Sequence, residues 1–263
     1  MELTARTVLL TGATGGIGHA IARALHARGA KLIVTGRRTD VLEPLAAEIS
    51  ATAIGADLAV RADVERLIAE AGHADIVVNN AALPASGNVL SFSEEELDRA
   101  LEVNLRAPLI LSRHFGGEMG KRGAGHIVFI SSLSGKSGQG GSAIYSATKF
   151  GLRGFAQGLR VDLASSGVGV STIFPGFIRD AGMFHESETK LPTGVGTSTP
   201  EQVAAAVVAA IEHNRGETDV APFMMRLMTS FAAMAPATAA RMATRMGGDK
   251  VASQMAAGQR AKR

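Results

Sequence analysis

The sequence predicts a doubly wound α/β fold, one parallel sheet with helices on both faces. Short, uniformly apolar runs alternate with amphipathic stretches along most of the chain. The runs lack polar alternation, as expected of strands covered on both sides. The chain has 263 residues, near the upper limit for one cohesive core, so a single large domain is the default.

The elements follow in order. "RTVLLTG" reads as a strand, then "GHAIARALHARG" as a helix. "AKLIVTG", "ATAIGADL" and "ADIVVNNAA" read as strands, separated by the helical "TDVLEPLAAEIS" and "VRADVERLIAEAG". One long helix is expected over 93–115, then the strand "GHIVFISS", a second long helix over 142–166 and the strand "GVGVSTIFPG". Ser93, three residues before Glu96, gives that first long helix a capping-box signature. Pro200 after Thr199 suits the start of a late helix, "PEQVAAAVVAAIEHN", and "GETDVAP" reads as the last strand. The stretch 177–198 has no clean period, and long irregular segments in compact domains are usually lids or mobile loops. Two parts result: residues 1–222 as the α/β body, including a substrate loop at about 177–198, and residues 223–263 as a helical, methionine-rich, basic extension.

Composition excludes several chemistries. With no cysteine there is no disulfide frame, thiolate zinc site or cysteine nucleophile, which fits a cytoplasmic setting. The seven histidines are scattered, with no HxxxH or HxH pair, so no metal site is expected. A serine hydrolase is disfavoured by the absence of a GxSxG elbow. No signal-peptide pattern opens the sequence and no long apolar span crosses it. The net charge of +3 is concentrated from Arg241 onward, leaving a slightly acidic body, so no nucleic-acid surface is expected.

"TGATGGIG" joins the first strand to the first helix. Glycines at 12, 16 and 18 permit a tight turn and close approach of a diphosphate to the backbone, and the helix N-terminus adds unpaired N–H groups and a positive dipole end. Farther on stand "DL" at Asp57 and Leu58, "NNA" from Asn79 to Ala81, Asn104, the pair Ser131 and Ser132, "YSATK" from Tyr145 to Lys149, and "PG" at Pro175 and Gly176. This ordered set, over about residues 5 to 180, resembles the short-chain dehydrogenase/reductase family, a Rossmann-type fold.

The resemblance implies an oxidoreductase that moves a hydride between a nicotinamide cofactor and a carbonyl or secondary alcohol. The implied cofactor contacts are Gly12, Thr14, Gly16, Ile17 and Gly18 in the turn, and Asp57 and Leu58 beside the adenine. Asn80, Ala81, Tyr145, Lys149, Pro175, Gly176 and Ile178 complete the set. For Asp57 a capping role before the next helix is the competing reading. At the end of the second strand, Gly36 stands where NAD-binding members carry an acid for the ribose 2′-OH. Arg37 and Arg38 follow, and arginine pairs with a 2′-phosphate that a carboxylate would repel. NADP is therefore expected, with NAD possible if both arginines are merely solvated.

Tyr145 is the only tyrosine, in a chain with ten phenylalanines and no tryptophan, so its hydroxyl rather than its ring is what the position needs. Lys149, four residues on, falls on the same helix face. A nearby ammonium stabilises a phenolate, so Tyr145 is expected to titrate below its ordinary range and to act as general acid/base. By resemblance Ser132 holds the substrate oxygen as charge develops, and Asn104 holds a water touching Lys149. Asn104, Ser132, Tyr145 and Lys149 are thus the candidate catalytic residues. The family's threonine after "PG" is missing from "PGFIRDAGMF".

Phe223, Leu227, Phe231 and Met234 are expected on one helical face and Arg226 and Ser230 on the other, with Pro236 breaking the stretch into two helices. A lid over a lipophilic substrate, a subunit interface, a membrane-surface helix and simple core packing remain open for this face, membrane contact being the least favoured. The leading function is an NADP-dependent oxidoreductase acting on a lipophilic carbonyl/alcohol pair, as a dimer or tetramer. The alternatives are a non-catalytic NAD(P)-sensing protein and an acyl-carrier-linked 3-ketoacyl reductase.

Overall fold

A computed structural model describes residues 1–187, 189, 191, 195–245 and 248–259. Seven parallel strands form one sheet in the order β3-β2-β1-β4-β5-β6-β7. They are β1 (Thr7–Thr11), β2 (Lys31–Gly36), β3 (Thr52–Gly55), β4 (Ile76–Asn79), β5 (Gly125–Ile130), β6 (Val168–Pro175) and β7 (Glu217–Val220). The helices between them are α1 (Gly16–His26), α2 (Thr39–Glu48), α3 (Arg61–Ala71), α4 (Glu94–Leu101), α5 (Ala107–Arg122), α6 (Ala143–Asp162), α7 (Gly182–Glu186) and α8 (Pro200–His213). The extension adds α9 (Phe223–Met234), α10 (Pro236–Arg245) and α11 (Gly248–Gln259).

The apolar runs form strands because both faces are buried. Successive residues point to opposite sides. Val8, Leu10, Val128 and Ile130 meet α1, α2 and α8 through Ile21, Leu25, Leu42 and Val207. Leu9, Val77, Ile127 and Phe129 meet α3, α5 and α6 through Leu67, Leu111, Phe115 and Leu152. The chain runs outward from β1 to β3, then returns to β4 on the other side of β1. The crevice at this reversal lies at the strands' C-terminal ends, where such sheets bind ligands.

Three expectations change in detail. The long helix over 93–115 is α4 and α5 joined by a π turn, Glu102–Arg106, a local irregularity that apolar periodicity cannot register. The irregular 177–198 stretch contains the short α7 and an isolated parallel bridge from Ile178 to Ser198; its residues 188, 190 and 192–194 lie outside those described. The extension has a third helix, α11, whose small and polar residues gave no apolar stripe to read. Residues 246–247 and 260–263 of the extension are also outside the described set. The Ser93–Glu96 capping box forms, α8 starts at Pro200, and a second reciprocal cap, Thr199 with Gln202, appears there.

His126 is a buried group that the sequence left unassigned. It is 2% exposed on β5, and its Nε2 lies 2.8 Å from Ser171 Oγ. Burial first, then nearby positive charge, pushes its pKa from 6.5 down to about 3. The folded state therefore keeps the ring neutral where the unfolded chain takes up a proton. Above pH 6.5 the group has no effect on stability; as pH falls below that value, stability is lost at up to about 1.4 kcal/mol per pH unit. Urea unfolding from about pH 7 to about pH 5 should show this loss. In His126→Gln the dependence should flatten by about one proton.

Candidate active site

The crevice opens into a cavity of about 1980 Å³ that reaches from the glycine turn to the C-terminal helices. Thr11 at the end of β1 organises its floor. Its Oγ1 accepts from the backbone N–H groups of Asn80 and Ala81, both at 3.1 Å. Asn80 Nδ2 donates to the carbonyls of Thr11 and Gly12, each at 3.0 Å. Gly12 sits at φ +66°, and a Cβ there would lie 2.6 Å from Ala81 Cα. The turn is thus locked to the β4 loop by contacts only glycine allows.

The turn also suits a diphosphate. α1 begins with no side-chain cap and no acid in its first turn, so its leading N–H groups face the cavity unpaired. A Cβ at Gly15 would meet nothing nearer than 3.7 Å, leaving an open cradle. Over its rim, a Cβ on Gly16 would collide with Ala181 Cβ at 2.3 Å, so the segment leading into α7 closes directly on the turn.

At the end of β2, Gly36 has no room for a side chain, because a Cβ would fall 2.7 Å from Thr14 Cγ2. Arg38 Nη2 donates to the Thr14 carbonyl at 2.5 Å. Arg37 is exposed and makes no hydrogen bond with any described residue, though its charge reaches Asp57. The structure therefore separates the two arginines: one braces the turn and the other is free.

Asp57 accepts from Ala59 N at 3.0 Å and pairs with Arg99 at 2.8 Å. Burial pushes its pKa up, but the Ala59 N–H and the Arg99 guanidinium together outweigh burial and hold it below the usual range. It does not cap α3, whose N-cap is Val60. Arg99 has no distinguishing signal in the sequence. Leu58 and Ala81 line the same cavity.

Lys149, Tyr145 and Ser132 meet where β5 ends. Lys149 is 2% exposed, and its Nζ donates to the Ile130 carbonyl at 2.9 Å. Ser131 Oγ donates to the Lys149 carbonyl at 3.1 Å, so α6 is tied twice to the strand end. Ser132 Oγ accepts from Ser134 N at 3.1 Å and is hydrogen-bonded to the Tyr145 hydroxyl. Pro175, Gly176 and Ile178, at the end of β6 and just beyond it, line the same cavity, and a Cβ on Gly176 would lie 3.5 Å from a methyl of Leu133.

One electrostatic expectation needs correction. Tyr145 is not brought below its ordinary range: burial pushes its pKa up to about 12, and the Ser132 bond opposes this only in part. Lys149 Nζ lies 5.6 Å from the ring centroid, and its own pKa falls from 10.5 to about 8 by burial. Desolvation disfavours both charged forms. Asn104 sits in the π turn, fully buried, with Oδ1 accepting from Leu83 N at 2.6 Å and Nδ2 donating to Leu83 O at 2.9 Å. Its side chain fixes the loop after β4.

The extension covers the far side. Met225 and Met228 of α9 line the cavity with Phe177, Met183 and Leu191. α11 turns back over α7, where Gln259, 2% exposed, donates through Nε2 to the Met183 carbonyl at 3.0 Å. Among the described residues no helix is long and apolar enough to span a membrane, and no group of three or more metal-ligating side chains occurs.

Because Tyr145 is the sole tyrosine and there is no tryptophan, phenolate absorbance reports this site alone. In alkaline titration the native protein should show almost no phenolate at about pH 10, where free tyrosine is half ionised. Ser132→Ala should move the onset still higher. Half-ionisation near pH ~10 would mean that Lys149, not burial, governs the phenol.

Comparison with known proteins agrees with this architecture. The family described as short chain dehydrogenase matches residues 6–192. "Ketoacyl reductase HetN" of Nostoc sp. is 36% identical over 227 residues, covering 83% of this chain and 79% of the relative. A short-chain dehydrogenase from Sphingobium yanoikuyae in complex with NADPH superposes with TM-score 0.75 at 28% identity, covering 81% of this chain and 87% of that one. The 3-ketoacyl-(acyl-carrier-protein) reductase from Brucella melitensis complexed with NADH gives 0.72 at 26% identity, covering 82% and 98%.

Proposed function

Given that the chain belongs to the short-chain dehydrogenase family, and so is an oxidoreductase, we propose that it reduces a lipophilic ketone or oxidises the matching secondary alcohol, with NADP(H) as cofactor. The observation that carries this reading is the hydrogen-bonded Ser132–Tyr145 pair facing the cavity, one helical turn from the buried Lys149. A bound nicotinamide cofactor supplies or accepts the hydride.

The side chains then divide the work on the substrate oxygen. Tyr145, held protonated by burial, donates its proton as that oxygen gains negative charge. A developing alkoxide is more basic than a phenolate, so the transfer runs downhill. Ser132 Oγ, which already accepts from Ser134 N, can turn its one proton from the Tyr145 oxygen to the substrate oxygen. Lys149 uses one donor on Ile130 and has two left, and its ammonium stabilises the phenolate once the proton has gone.

For cofactor choice, Arg37 supports NADP as the free cation at the end of β2, while Thr14 fills the space that an acid at position 36 would need. The apolar walls, with methionines from α9 and aromatic rings from 177–184, support a lipophilic substrate. The acyl-carrier-linked ketoacyl reductase reading is favoured by the names of the relatives and uses the same chemistry on a tethered substrate.

Cofactor absorbance with NADPH and a panel of ketones, offered free and as carrier-bound 3-ketoacyl chains, tests the reading. Tyr145→Phe should lower kcat by about 10²- to 10⁴-fold; equal rates in both proteins would refute the acid role. Arg37→Ala should raise the KM for NADPH by roughly tenfold or more while sparing NADH. An unchanged NADPH KM would remove the arginine contact.

A further inference from the structure

We propose that the outer face of α9 and α10 seats on an anionic lipid surface. α9 has no buried residue. Phe223 is 68% exposed and Met234 86% exposed, and neither lines the cavity. They lie three helical turns apart on one line, with Arg226 and Ser230 on the same outward side. Leu227 and Phe231 border this strip and reach the cavity mouth. The expected single face is thus split, with Phe223 and Met234 outside and Leu227 and Phe231 at the rim, and Arg226 and Ser230 stand beside Phe223 and Met234 and not opposite them.

The charge pattern selects the occupant. Between Asp219 and Asp249 the sequence has no acidic residue, but it has Arg226, Arg241 and Arg245. All three are exposed and form no ion pair with any described residue. Arg241 and Arg245, four apart, share a side of α10. In the body, by contrast, Arg66, Arg99 and Arg153 each meet a carboxylate. A second copy packed about a two-fold axis would bring these cations together with no carboxylate to receive them. A layer of anionic headgroups over acyl chains meets both needs: Phe223 and Met234 enter the acyl boundary, and the guanidiniums pair with phosphates. The same helices wall the cavity, so a lipophilic molecule leaving the layer would have a short path inward. The proposal does not depend on which reaction the site performs.

The test is flotation of the full chain with vesicles of phosphatidylcholine alone or with about one third phosphatidylserine. The protein should float with the anionic vesicles and be released by raised salt. Arg226→Gln/Arg241→Gln/Arg245→Gln should weaken this binding by about a hundredfold. Phe223→Ser/Met234→Ser should also release the protein while circular dichroism and NADPH binding stay unchanged. Failure of the wild type to float with either vesicle overturns the proposal, as does wild-type binding by the triple variant. So does a wild-type dimer in sedimentation equilibrium that the Phe223/Met234 variant dissociates, because a second copy then covers the face. Should a variant not fold, the lipid and salt dependence of the wild type decides.

Discussion

The site depends on one buried ammonium. Lys149 gives up water and receives one protein acceptor, the Ile130 carbonyl, at the end of β5. An ammonium in that position is costly unless bonded, so the lysine fixes where α6 meets the sheet. Ser131 Oγ closes the same junction from the strand side through the Lys149 carbonyl. With the helix pinned at residue 149, Tyr145 lies one turn earlier, against the serine that follows the strand. Tyr145 is thus positioned by strand–helix docking, with Ser132 only two residues past the strand end, which gives the precision expected of rigid elements.

That burial also decides which protonation states are favoured. From the sequence, four-residue spacing suggested that the lysine charge would govern the phenol. The sheet end is dry enough that desolvation outweighs any charge effect for both groups, moving the phenol up and the ammonium down. Both shifts favour the neutral forms, but at neutral pH Lys149 stays charged, because about 8 is still above 7. The pair therefore rests as phenol and ammonium, with a proton on the tyrosine and a positive charge ready for the phenolate. Spacing showed the neighbours; only the packing showed which energy was larger.

The fold was legible because its signal is periodic. Strands β1, β5 and β6 are mostly apolar runs buried on both faces, and the glycine turn announces where the first crossover begins. Ser132, Tyr145 and Lys149 were legible for a different reason: residue types costly to bury stood at fixed intervals beside a strand. What escaped was nonlocal or lacked a period. Arg99 reaches Asp57 across 42 positions, and Asn104 serves Leu83 through a π turn that leaves the apolar pattern intact. Arg37 and Arg38 look equivalent as adjacent letters, yet the Thr14 carbonyl takes one and leaves the other.

The extension follows from the same contact logic carried outward. Ala181 lies on Gly16, and Gly182 packs beside Ile17, so the segment entering α7 is shaped by the glycine turn. Met183, next in the chain, offers its carbonyl to Gln259, and Gly258 lies so close to Ser187 that a Cβ would fall 2.5 Å from its carbonyl oxygen. On the other side of the cavity, Ala252 of α11 rests against Gly141, just before α6 begins. α11 therefore bridges the segment over the glycine turn and the entry to the Tyr145 helix. Opening the cavity on this side would break the contacts of α11 with α7 and with the α6 entry together. The glycine turn and the tyrosine helix thus share one helix as a common packing partner, through the segment entering α7 on one side and the α6 entry on the other.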